Sequence, residues 1–319
     1  MALNHKIALV LDMIARAARP PYHTLTPVEA RASYEKSAAV LEIASAPMHS
    51  IEDLAVPVRD GTTIRARLYY PTAPHWAEPL PALVWFHGGG FTVGSVDTHD
   101  ALCRMFARDA RCAVLSVDYR LAPEHRFPCA VYDSFDAYAW LHAHAAEFAL
   151  DPARLAVGGD SAGGTLAAVC AVLARDAGMA PVLQMLVYPG TCGHQDTPSH
   201  ARLAEGYLLT AETIRWFFDH YVRDEADRDD WRFAPLDGKR DAPDFGGLAP
   251  AWIAVAEYDP LVDEGEAYAR KLRDAENAVT LVQYAGMVHE FFKMGGFVDD
   301  ARRAHADAAR ALREAFGEA

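Results

Sequence analysis

An α/β fold, with a mostly parallel central sheet flanked by helices and a helical cap, is what the sequence predicts, on three observations. Short β-rich runs alternate with longer helical ones from residue 54 to about residue 186, the pattern of strands joined by crossover helices. Most of these runs are apolar throughout instead of alternating, as expected when helices cover both faces of a sheet. The first 50 residues carry no strand pattern and read as a helical preface.

In chain order, the apolar stretch 7–15 is interrupted by Asp12 and followed by Arg16 and Arg19. This favours an amphipathic helix over a cleaved export signal. A second helix opens at Thr26-Pro27-Val28-Glu29, where Thr caps, Pro fits the first turn and Glu closes a capping box. Strands are expected at 66–70, 82–86, 113–117, 155–157 and 183–187. Between Pro189 and Pro250 the strand signal fades into Gly, Pro and acidic segments around one amphipathic helix at 211–222, carrying Trp216, Phe217 and Tyr221. An inserted lid is expected there, and the acidic run 224–230 within it reads as a solvated loop. The sheet resumes at 251–256 and 279–284, each run followed by a helix, the last at 299–316. The expected organisation is therefore N-terminal cap helices at 1–50, a catalytic domain at 51–188 and 236–319, and an inserted cap segment at 189–235.

The bulk numbers exclude several classes. With 319 residues, 51% of them hydrophobic and 23% charged, the chain can bury a large core. A net charge of -14 would repel phosphate backbones and anionic lipid surfaces, so nucleic acid is not an expected partner. No stretch reaches the ~18 uninterrupted apolar residues of a membrane span, so no stable membrane insertion is expected. Five cysteines, odd in number and without a C-x-x-C pair, fit neither a disulfide framework nor a zinc cluster and point to a reducing cytoplasm. There is no H-E-x-x-H, Walker A or G-x-G-x-x-G run, and neither a metal nor an organic cofactor is expected.

The chemistry concentrates in a few loops. Gly159-Asp160-Ser161-Ala162-Gly163 matches G-x-S-x-G between an apolar strand and a helix-compatible run, the context of a nucleophile elbow. The serine there sits on a sharp turn, and β-carbons at the flanking glycines would collide with neighbouring backbone. His87-Gly88-Gly89-Gly90 follows the strand at 82–86, where an α/β-hydrolase places the loop that completes its oxyanion hole. The N–H groups of Gly89 and Gly90, with Gly88 as a further candidate, would join that of Ala162 around the developing oxyanion.

In this fold the chain order runs nucleophile, acid, base. Only His289 and His305 lie beyond any plausible acid; His305 falls within the last helix, where a surface role is expected, so His289 is the base. Three carboxylates follow the strand at 251–256: Glu257, Asp259 and Asp263. Asp263 reads as a helix N-cap with Glu266 as its capping-box partner, and Asp259 is preferred over Glu257 because it lies in the loop proper, before a rigid proline. His289 would take the proton of Ser161, and Asp259 would hold the imidazole tautomer and stabilise its charge.

At these residues the sequence resembles the hormone-sensitive-lipase family of α/β-hydrolases, in its bacterial esterase branch. The matching motifs are His87 to Gly90, Tyr119-Arg120-Leu121-Ala122-Pro123-Glu124, Gly158 to Gly164, Tyr258-Asp259-Pro260-Leu261 and Gly286-Met287-Val288-His289, spanning about residues 55 to 292. The resemblance implies Ser161, Asp259 and His289 as triad, the glycine loop and Ala162 as oxyanion hole, and a cap built from the N-terminal helices plus an insert. It also implies hydrolysis of short- to medium-chain acyl esters, and a homodimer paired through an edge strand. Phe91, Tyr188, Leu208 and Phe217 are expected to line the substrate pocket. Tyr119 to Glu124 is expected to brace the site loops, with Arg120 and Glu124 paired. Glu290 stands where relatives often carry Gly, and would raise the basicity of His289 or point to solvent. An acyl-serine enzyme of this design can also be an amidase, lactonase or acyltransferase. The fold serves as a small-molecule receptor where the triad is broken, as in the plant gibberellin receptors, but here all three positions are filled.

Overall fold

A computed structural model describes residues 2–318. Among them, eight strands form one sheet: Ser50–Pro57 (β1), Thr63–Tyr70 (β2), Leu80–Phe86 (β3), Ala113–Asp118 (β4), Leu150–Asp160 (β5), Gln184–Val187 (β6), Ala251–Tyr258 (β7) and Val279–Val288 (β8). Their spatial order is β1-β2-β4-β3-β5-β6-β7-β8. β2 runs antiparallel to both β1 and β4, and every other neighbouring pair is parallel. All the expected strands are present. β1 is the addition, and it leaves no sequence signal because most of its residues stay in contact with water and only Val56 is buried.

The helices are His5–Ala17 (α1), Pro27–Ala38 (α2), Asp100–Ala110 (α3), Cys129–His144 (α4), Ala162–Asp176 (α5), Pro198–Arg202 (α6), Ala211–Tyr221 (α7), Val262–Asp274 (α8) and Asp299–Ala315 (α9). Alternate residues of the central strands feed two separate cores. On β3, Val84 and Phe86 belong to the core that also holds apolar residues of α4, α5 and α8, whereas Leu83 and Trp85 belong to the one that holds those of α1, α3 and α9. Complete burial of β3 after its first residue explains its unbroken apolar sequence.

Local chemistry sets the helix starts. Asn4 caps α1 by accepting from the Lys6 N–H at 2.8 Å. On α2 both halves of the capping box form: the Thr26 hydroxyl accepts from the Glu29 N–H, and the Glu29 carboxylate accepts from the Thr26 N–H at 2.9 Å. α2 and α7 meet through Ala30, Tyr34, Trp216 and Phe217, with Tyr22 and Leu25 beside them, in one apolar cluster.

Four expectations are corrected. α8 begins at Val262, so Asp263 lies inside its first turn instead of capping it, and its carboxylate accepts from the Ser199 N–H at 2.7 Å. The acidic run at 224–230 is not solvated throughout: Asp227 and Asp230 are buried, held by Arg223, Arg232 and Arg240. Arg120 pairs with Asp133 and Asp60, not with Glu124, which receives Arg31 of α2. His305 is buried, with Nε2 at 2.7 Å from the Phe292 carbonyl, and burial pushes its pKa down to about 4.

Candidate active site

The site lies at the carboxyl ends of the parallel strands, where open α/β sheets gather their functional loops. Ser161 directly follows β5 and precedes α5, with φ 54° and ψ -120°. Holding a non-glycine residue there takes close backbone packing, and two glycines permit it. A Cβ at Gly163 would lie 1.9 Å from the Phe86 carbonyl oxygen, and one at Gly159 would lie 2.2 Å from the Gly163 oxygen.

His289 follows β8. Its Nε2 is 2.9 Å from Ser161 Oγ and its Nδ1 is 2.6 Å from Asp259 Oδ2. Asp259 is fully buried after β7, and its second oxygen accepts from the Leu261 N–H at 2.9 Å. Of the three competing carboxylates, only Asp259 reaches the imidazole by these contacts; Glu257 accepts from the Gly286 N–H at 2.7 Å. Burial alone would lower the basicity of His289. The Asp259 carboxylate, by charge and hydrogen bond, together with Glu290 and Asp160, outweighs it, so the pKa ends above the ordinary histidine value.

The glycine loop divides. Gly89 and Gly90 line the cavity above Ser161, with φ +117° and +56° that side chains rarely adopt. A Cβ on Gly90 would fall 2.1 Å from the Phe217 ring. The Gly88 N–H instead donates to Asp160 Oδ1 at 3.0 Å, a correction to its candidacy as an oxyanion donor: that proton is engaged within the protein. Asp160 is buried beneath the loop, with Oδ2 at 3.3 Å from His99 Nε2. Burial opposes its charge, but His99, Lys293 and His87 outweigh burial and hold its carboxyl below the usual range. The Tyr119 hydroxyl donates to the His87 carbonyl at 2.7 Å, so the motif that begins at Tyr119 does brace this loop.

A cavity of about 630 Å³ opens over Ser161, Ala162 and His289. Phe91, Leu208 and Phe217 line it as expected. Tyr188 does not. It has φ +35°, and its ring packs against that of His289 with the ring centroids 4.6 Å apart. Glu290, on the cap side, accepts from the Tyr34 hydroxyl of α2 at 3.2 Å. Sequence reasoning missed His99, whose pairing with Asp160 joins residues 61 apart, and the cavity-lining residues Lys293, His200 and Glu264. Among the described residues no group of three His, Cys, Asp or Glu is placed to hold a metal ion, and no helix is long and apolar enough to cross a membrane.

The chain is similar to known proteins over most of its length. A family model described as alpha/beta hydrolase fold matches residues 83–293. An ethyl acetate hydrolase of Pseudomonas putida is 42% identical over 307 residues, covering 94% of this chain and 95% of that protein. A carboxylic ester hydrolase of Mycobacterium tuberculosis, LipN, is 49% identical over 256 residues, covering 77% of this chain and 66% of LipN. A solved hyperthermophilic esterase from the archaeon Pyrobaculum calidifontis superposes with a TM-score of 0.91 at 36% identity, covering 98% of this chain and 99% of that one. The chain belongs to the α/β-hydrolase family, in its hormone-sensitive-lipase branch.

Proposed function

We propose that this protein is a serine carboxylesterase that hydrolyses short- to medium-chain acyl esters through an acyl-serine intermediate. The observation that carries the reading is the unbroken relay Ser161 Oγ, His289 Nε2, His289 Nδ1, Asp259 Oδ2, at 2.9 and 2.6 Å, in the floor of a cavity. His289 takes the Ser161 proton as the hydroxyl attacks the ester carbonyl, then returns it to the departing alkoxide. Asp259 keeps the Nδ1 proton in place and balances the imidazolium. The N–H groups of Gly89, Gly90 and Ala162 receive the oxyanion; removing one such donor typically costs ~3 kcal/mol of barrier. Water, activated by the same histidine, then releases the acid. The names of the curated relatives support ester hydrolysis as the outcome.

A hydrolysis panel of p-nitrophenyl esters from acetate to palmitate, with amide and lactone analogues, tests the substrate class. Rates should peak at the short to middle acyl chains, with amides and lactones far slower. A peak at palmitate would contradict the chain-length reading, and faster amide or lactone cleavage would replace esterase with amidase or lactonase.

The pH profile follows from His289. Only the neutral imidazole can accept the serine proton, so activity falls as pH drops through its pKa. Because that pKa is raised, the acid limb of kcat/KM should have its midpoint above the ordinary histidine value of about 6.5. A midpoint well below that value would show that the Asp259 charge does not reach the base.

The five cysteines, all free and four of them buried, support a reducing, cytoplasmic setting. β8, at one end of the sheet order, is the edge through which a homodimer would pair.

A further inference from the structure

At the insert side of the catalytic cavity two charged or polar side chains are buried together, and the triad uses neither. Glu264 on α8 and His200 on α6 are 2% and 5% exposed, yet both line the cavity. One oxygen of Glu264, Oε2, is saturated by the N–H groups of Thr191 at 2.6 Å and Cys192 at 2.5 Å. Its other oxygen, Oε1, lies 3.5 Å from His200 Nε2, too far for a strong bond.

The tautomer of His200 follows from its other nitrogen. Nδ1 accepts the Thr197 N–H at 3.3 Å and lies 2.8 Å from the Thr197 hydroxyl, so in the neutral ring the proton sits on Nε2. The cavity wall therefore carries a donor, His200 Nε2–H, beside an acceptor, Glu264 Oε1, 3.5 Å apart. A hydroxyl group donates one hydrogen bond and accepts another, and is the neutral group that can face both atoms at once from the cavity. Thr165 ties this wall to the nucleophile: it lies one helical turn along α5 from Ser161, it lines the same cavity, and its hydroxyl donates to the Gly190 carbonyl.

We propose that Glu264 and His200 form a hydroxyl-recognising subsite, so that the preferred substrates are esters bearing a hydroxyl group remote from the scissile bond. This rests on the esterase reading above. A buried site built to hydrogen-bond a substrate hydroxyl discriminates strongly against the analogue lacking it, because its own polar groups are then left unpaired.

The test compares kcat/KM for ethyl hexanoate with its ω-hydroxy derivative, and for butyl butyrate with ω-hydroxybutyl butyrate, so that the acyl and alcohol arms are read separately. The wild-type protein should favour at least one hydroxylated ester by roughly tenfold or more. His200→Asn retains an acceptor where Nδ1 meets Thr197 but removes the Nε2 donor, and should bring that ratio, in which any general change of rate cancels, to near unity. His200→Gln, which restores a donor near Nε2, should recover part of it. No preference for any hydroxylated ester in the wild type, or a preference untouched by His200→Asn, overturns the subsite alone. Failure to cleave any ester overturns the esterase reading and the subsite with it.

Discussion

Ser161→Ala should lower kcat on p-nitrophenyl butyrate by roughly 10⁴- to 10⁶-fold, the scale of losing the nucleophile of a serine triad. The reason is geometric. Ser161 Oγ is 2.9 Å from His289 Nε2, and the backbone that presents it, at φ 54°, is set by the packing of Gly159 and Gly163 and survives the loss of one oxygen atom. The residual rate should stay above that of water, because the oxyanion donors and the cavity remain. The circular dichroism spectrum and melting temperature should be close to those of the unaltered protein, which separates lost chemistry from lost fold. Retention of more than about a hundredth of the activity would move the nucleophile elsewhere.

The parts of the site legible in the sequence are those whose signal is local. The elbow needs glycines where a β-carbon would strike the Phe86 and Gly163 carbonyls, and that requirement is written within five residues. The strands of the parallel sheet are legible for a similar reason: both faces of β3 are buried, so its residues are apolar without interruption. His305 was readable in principle, since Ala301, Ala304, Ala308, Ala309 and Leu312 form the buried stripe of α9 and His305 lies in it. Its place midway along the last helix reads as a surface position, but the Phe292 carbonyl satisfies it inside.

What the sequence does not carry is partnership between distant segments. Gly88 looks like its two neighbours in the motif, and only the fold shows that Asp160, 72 residues later, occupies its N–H. Arg120 and Glu124 are close enough along the chain to suggest a pair, yet each finds a partner from another element. Tyr188 leaves β6 in a positive-φ turn, and its ring packs against His289, far along the chain. Each of these is a choice among several chemically reasonable partners, which tertiary packing makes and local pattern does not.

The choice among three carboxylates is the clearest such case, and Asp259→Asn tests it with a large effect, a fall in kcat of roughly 10⁴-fold near neutral pH. Asp259 accepts twice: from His289 Nδ1 at Oδ2 and from the Leu261 N–H at Oδ1. An asparagine keeps the Leu261 bond only by leaving its oxygen at the Oδ1 position, which turns its NH₂ toward Nδ1. Nδ1 must then be unprotonated, the proton moves to Nε2, and the imidazole faces Ser161 Oγ as a donor that cannot take its proton. The substitution thus removes both the charge that raises the His289 pKa and the tautomer that makes it a base. Glu257→Gln is the matched control: the amide oxygen can still accept from the Gly286 N–H, and kcat should change by no more than a few-fold. If Glu257→Gln were the more damaging of the two, the acid would be Glu257, and the contact between Asp259 and His289 would be a structural one.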